Sequence, residues 1–98
     1  AVSSIKALPG IVDAVGKDIE VWVDGGIRSG QDVLKAWALG AKGTLIGRPF
    51  LNGLGAMGEA GVTKCLEIIH RELDVTMAFT GHRDIQNVTK DILYPGTF

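Results

Sequence analysis

The chain has 98 residues, a formal net charge of −1, 46% hydrophobic residues and a mean hydropathy of +0.23. That length allows one small domain or a piece of a larger one, and scattered lysines and arginines at this net charge supply no basic field for nucleic acid or an anionic membrane. One cysteine, Cys65, excludes an intrachain disulfide and a cysteine-built zinc site and fits a reducing compartment.

No stretch is apolar for long enough to span a bilayer. The opening AVSSIKALPG carries no charged-then-apolar leader and no Met, and it leads straight into a helix cap. That abrupt start reads as a piece of a longer protein. The apolar excess points the same way, because a small chain buries a small share of its surface and the remainder must meet other protein.

Ser3 or Ser4 caps a predicted helix reaching Val15, with Ile5, Leu8, Val12 and Val15 on one face. Pro9 inside it predicts a kink or a broken turn, and Gly16 a stop. Residues 20–24, EVWVD, form a short β-rich run ended by Gly25 and Gly26. Ser29 opens a second helix with Asp32 in its first turn, where the helix dipole favours acid; Val33, Leu34, Trp37 and Ala38 continue it and Gly40 ends it. Thr44, Leu45 and Ile46 read as a second strand closed by Gly47.

The glycine-rich stretch RPFLNGLGAMG predicts a loop with one short helical turn. Residues 59–80 then form the longest predicted helix, with an apolar stripe of Val62, Leu66, Ile69, Leu73 and Met77 and Gly81 as its cap. Residues 84–88 suggest a last short helix. Trp22, Trp37, Phe50, Met57, Met77, Phe79 and Cys65 read as packing residues. Tyr94 and Phe98 belong to a tail that either docks on a neighbouring subunit or hangs free. His70 reads as a helix-surface residue and His82 as a partner of the helix C-terminus; their separation gives no metal-ligand spacing.

Alternating helices and strands imply an α/β fold with parallel strands and right-handed crossovers. Two strands are too few for a stable sheet, so the pattern fits about a quarter of a (β/α)8 barrel, which needs roughly 250 residues, or a corner of a doubly wound sheet. Adjacent parallel strands put DGGIRSG and GRP at the same edge. Glycine lets backbone N–H groups approach an anion, a helix N-terminus adds partial positive charge, and Arg28 and Arg48 add full charges. Together they suit a phosphate monoester. The blander reading is strand-ending glycines with rim salt bridges.

VDGGIRSGQDVLKAWALGAKGTLIGRP, followed by GAMGEAGVTKCLEIIHRELDVTMAFTG, resembles the C-terminal part of the FMN-dependent α-hydroxy acid dehydrogenases and oxidases, the family of L-lactate dehydrogenase and glycolate oxidase. The resemblance implies that residues 1–98 are about the last two βα units of an FMN-binding (β/α)8 barrel and not a complete domain. It implies that Asp24 bonds a ribityl hydroxyl, that Gly26, Arg28, Gly47 and Arg48 hold the FMN phosphate, and that Gly25 shapes the turn.

The implied reaction oxidises an L-2-hydroxy acid, lactate foremost, to the 2-oxo acid. The family's catalytic His and substrate-gripping Arg fall upstream of Ala1, so these residues on their own are expected to be inactive. The family implies a homo-oligomer, a tetramer or larger, that is cytoplasmic or peripheral at the inner face of the membrane. Alternatives are another phosphate-binding barrel of the type 2 isopentenyl isomerase or IMP dehydrogenase kind, or a non-catalytic self-associating module whose open sheet edges pair with one another.

Overall fold

The computed structural model describes residues 2–95. Helix α1 spans Ser4–Val15, strand β1 Trp22–Asp24, helix α2 Gly30–Ala38, strand β2 Gly43–Leu45 and helix α3 Arg48–Phe79; two 3-10 turns follow at Ile85–Asn87 and Lys90–Ile92. Among the described residues the sheet consists of β1 and β2, paired in parallel with Trp22 opposite Gly43, Val23 opposite Thr44 and Asp24 opposite Leu45. The alternating, parallel arrangement expected from the sequence is therefore present, and α2 is the crossover.

Ser3 caps α1, its Oγ accepting from the Lys6 N–H. The helix runs unbroken through Pro9, against the expected break. Proline forfeits one bond, to the Ile5 carbonyl, and the cap below it together with burial of Leu8 at its side holds the turn. Leu8 enters a core formed with Val23, Ile27, Ala36, Leu39 and Ala41, against which Ile5 and Val12 also pack. The opposite side of α2 builds a second core, where Leu34, Ala38 and Val88 meet Leu73 and Met77 of α3. The crossover helix is thus buried on two sides, which its small residues Ala36 and Ala38 permit.

Both α2 and α3 end in the same way. Gly40, at φ +106°, and Gly81, at φ +81°, follow the last helical residues. The N–H groups of Gly40 and Ala41 return to the carbonyls of Trp37 and Ala36, and those of Gly81 and His82 to Ala78 and Met77. These are paired Schellman bonds that satisfy carbonyls otherwise left open at a helix end.

The stretch expected to be a loop is helical. α3 begins at Arg48 and breaks at Met57 and Gly58, where Gly58 takes φ +61° and ψ −138°. Glycines disguise its first half, yet Gly53 is required by packing: a Cβ there would lie 2.5 Å from the Gly61 carbonyl oxygen. The two arms of α3 touch backbone to backbone at this glycine pair.

Several residues read as core are exposed. Phe79 is 87% and Met57 60% accessible, and Phe50 and Leu66 are also exposed. Ile69 is the stripe residue that is fully buried, with Leu73 and Met77 packed beside it. Hydrophobicity marks a side chain that gains from burial, not which neighbour supplies it, and no element of these residues covers that face. Trp22 lies over Gly43, within 2.8 Å of where a Cβ would stand, and its indole N–H donates to Glu20 at 3.2 Å; the ring is still more than half exposed. The expected helix at 84–88 is a single 3-10 turn. Tyr94 projects into solvent, and Phe98 lies outside the described residues.

Candidate functional site

The register that pairs Asp24 with Leu45 brings the carboxyl ends of both strands to one level. In open parallel sheets, ligands bind outside these ends. After Asp24 the chain turns through two successive left-handed residues, Gly25 at φ +96° and Gly26 at φ +78°, a conformation that penalises any side chain with a Cβ. Ile27, 5% exposed, then plunges into the first core and pins the turn. Arg28 re-emerges into solvent and Ser29 caps α2. After β2, Ile46 packs on the same core, and Gly47 and Arg48 begin α3. Asp24, Gly25, Gly26, Arg28, Gly47 and Arg48 all line one cleft of about 260 Å³. That is below the ~300–1,000 Å³ of complete small-molecule sites, so the cleft suits one end of a ligand.

The two helix N-termini at this edge differ in what occupies their donors. At α2, Ser29 Oγ accepts from the Asp32 N–H at 3.2 Å, Asp32 Oδ2 accepts from the Arg28 N–H at 3.0 Å, and Glu72 Oε1 accepts from the Gly30 N–H at 3.2 Å. Two carboxylates and a hydroxyl have already answered its positive end. Asp32 thus meets the Arg28 backbone as well as compensating the dipole. At α3 the cap residue is glycine, no side chain caps the turn, and the first turn holds no acid. The Leu51 N–H is taken by the Gly47 carbonyl and Pro49 has none, which leaves the N–H groups of Arg48 and Phe50. The anion-receptive groups at this edge are therefore the start of α3, the glycine turn and the two arginine side chains.

Gly47 is informative for another reason. Its φ of −113° is open to any residue, and a Cβ built on it meets no protein atom within 4 Å. Neither backbone conformation nor packing against the described residues calls for glycine there. Gly47 lines the cleft.

A profile of FMN-dependent dehydrogenases matches residues 1–95. The chain belongs to that family. Its residues are 53% identical, over 91 positions, to an L-lactate dehydrogenase of Caulobacter vibrioides; the match covers 93% of this chain and 24% of the relative. An L-lactate dehydrogenase of Actinobacillus pleuropneumoniae is 46% identical over 93 residues, again 24% of its length. The chain therefore spans about a quarter of the curated relatives it matches.

Among solved structures, a mandelate oxidase variant bearing a monooxide FMN adduct superposes with a TM-score of 0.85 at 46% identity, over 90% of this chain and 28% of that one. A flavocytochrome b2 variant with pyruvate bound gives 0.82 at 40% identity over 90% and 24%. The monotopic membrane protein (S)-mandelate dehydrogenase gives 0.88 at 39% identity over 94% and 24%. No described helix of this chain is itself long and apolar enough to cross a membrane.

FMN is the cofactor of this family, and the cleft fits one part of it. Two arginines, a glycine turn and an uncapped helix start match a phosphate, and the Asp24 carboxylate at the same cleft is an acceptor for sugar hydroxyls. Sequence reasoning placed Ser29 and Asp32 at the start of α2 but missed Ile27, Gly30 and Glu72, which also hold this edge in shape. Ile27 was visible as the lone apolar residue between glycine and arginine, and Ser29-x-x-Asp32 has the spacing of a capping box. Gly30 and Glu72 had no local signal, because their contact joins positions 42 apart. Of the remaining candidates, His70 is exposed, His82 Nδ1 lies 3.3 Å from Thr80 Oγ1, and Cys65 is half-buried in an apolar cleft between the arms of α3; none of the three lines the phosphate-type cleft.

Proposed function

We propose that residues 1–98 form about the last two βα units of an FMN-binding (β/α)8 barrel, part of a domain completed by other residues, and that they anchor the phosphate and ribityl chain of FMN. The enzyme they serve oxidises an L-2-hydroxy acid, lactate foremost, to the 2-oxo acid. The observation that carries this reading is the convergence of Asp24, Gly25, Gly26, Arg28, Gly47 and Arg48 on one cleft at the carboxyl ends of β1 and β2. Arg28 and Arg48 neutralise the phosphate, and the N–H groups of the Gly26 turn and the start of α3 bond its oxygens. Asp24 accepts from a ribityl hydroxyl. Gly47 leaves room for the phosphate to reach the backbone.

When bound, FMN supplies the acceptor for the hydride that leaves the substrate. The residues here orient it by its far end, so that binding energy is gained away from the reacting atoms. The proton-abstracting His and the carboxylate-binding Arg are assigned to other parts of the enzyme. The lactate assignment draws on the names of the relatives at about half identity. The enzyme is placed as a homo-oligomer in the cytoplasm or against the inner membrane face, the latter in keeping with the monotopic relative.

The test compares FMN with riboflavin, which lacks the phosphate, in the complete gene product. A charge-assisted hydrogen bond contributes about 1.5–3 kcal/mol, so Arg28→Ala and Arg48→Ala each weaken FMN binding about 10- to 100-fold and leave riboflavin affinity unchanged. Equal losses for both flavins, or no loss for either, would overturn the assignment.

A further inference from the structure

Gly30 is the first residue of α2, two positions beyond Arg28. Its Cα lies so close to α3 that an added Cβ would collide with the Leu73 nitrogen and stand 2.5 Å from the Ile69 carbonyl oxygen. On the same contact, Glu72 Oε1 accepts the Gly30 N–H at 3.2 Å. Glu72 is half-buried and lies on the helix whose other end begins at Arg48. The elements that follow the two arginine turns therefore meet here, the start of α2 against α3's second arm, and pack on through Leu34, Ala38, Leu73 and Met77. The arms on either side of the kink at Met57 and Gly58 meet at the Gly53–Gly61 contact.

We propose that Glu72 is a positioning residue for the phosphate site. Its carboxylate holds the first N–H of α2 and thereby sets the placement of Arg28, and the spacing between Arg28 and Arg48, without touching the cofactor. Leu73 and Ile69 hold the two helices by contact area, which sets distance but not orientation. The Glu72 bond is directional and acts on the residue adjoining the Ser29 cap.

The proposal rests on the reading of the cleft as the FMN phosphate site, and the test separates the two. In the complete gene product, Glu72→Leu removes the acceptor and keeps the bulk, while Glu72→Gln keeps an acceptor oxygen. Glu72→Leu is expected to weaken FMN binding about tenfold, the loss of one net hydrogen bond's worth of positioning. It leaves riboflavin affinity unchanged, and Glu72→Gln restores FMN binding to within about twofold of the parent.

In an Arg28→Ala background Glu72→Leu adds no further loss, because residues acting through one another are not additive. Additive losses, equal losses for riboflavin, or failure of Glu72→Gln to rescue would each overturn it. Should the leucine variant not fold, Glu72→Asp, which withdraws the acceptor by one methylene, is read by the same criteria. An Arg28→Ala variant that binds FMN and riboflavin like the parent would instead overturn the phosphate site itself.

Discussion

Replacing Gly10 and Gly30 with alanine separates two physical effects that helix propensity alone would merge. Both glycines lie in helices, and alanine is favoured over glycine there by about 1 kcal/mol. A Cβ at Gly10 meets nothing within 4 Å, so Gly10→Ala is expected to stabilise by about 0.5–1 kcal/mol. A Cβ at Gly30 meets backbone atoms on α3, at 2.5 Å from the Ile69 oxygen and 2.6 Å from the Glu72 carbonyl carbon. Backbone cannot rotate aside as a side chain does.

Relief of the Ile69 contact alone to the 3.4 Å where ordinary contact begins opens the helices by about 0.9 Å, and the closer Leu73 nitrogen asks for more. That opening takes the Gly30–Glu72 bond, already 3.2 Å, beyond bonding range. Overpacking costs about 1–3 kcal/mol and the lost bond about 1 kcal/mol; set against the propensity gain, Gly30→Ala destabilises by about 1–3 kcal/mol. Urea denaturation of both variants reads the difference, with midpoints moving in opposite directions and the slope unchanged. A Gly30→Ala variant as stable as the parent would show that α2 and α3 do not approach as described, and the account of Glu72 would go with it.

Two further outcomes follow from the glycine geometry. Gly61→Ala forces a Cβ into Gly53 of the facing arm; the arms of α3 separate, and the complete protein loses about 1–3 kcal/mol of stability together with FMN affinity, read by denaturation and flavin fluorescence. At Gly26, φ +78°, alanine costs about 1–2 kcal/mol while asparagine, which tolerates that region, costs less; equal effects of the two on FMN binding would show that the turn's conformation is not what matters.

The order of elements was legible because each carries its own period and its own punctuation. Ser3, Ser29, Gly40 and Gly81 stand where helices begin or end for local reasons, and EVWVD and GTLIG are short β-branched runs between glycines. The six cleft residues were legible as a group because parallel pairing forces neighbouring strand ends together. The first arm of α3 was not, since Gly53 obeys a tertiary demand, the approach of Gly61, that looks locally like a loop signal. Burial of the long helix was overread for a related reason. A stripe of Leu66, Ile69 and Met77 announces an apolar face, but Phe79 and Met57 show that announcing a face does not provide its cover.

Surface connections ordinarily tolerate changes of length. The link between α2 and β2, residues 39–42, should not. One residue inserted there advances β2 by about 3.3 Å and exchanges the faces its side chains present. Gly43 would come opposite Val23 and Thr44 opposite Asp24, with Leu45 carried past the end of β1. Arg48 would be carried out of step with Arg28. The four-residue link thus acts as a ruler between two charges: among descendants of this sequence its length is held as firmly as the buried Leu39 and Ala41 and the left-handed Gly40 within it.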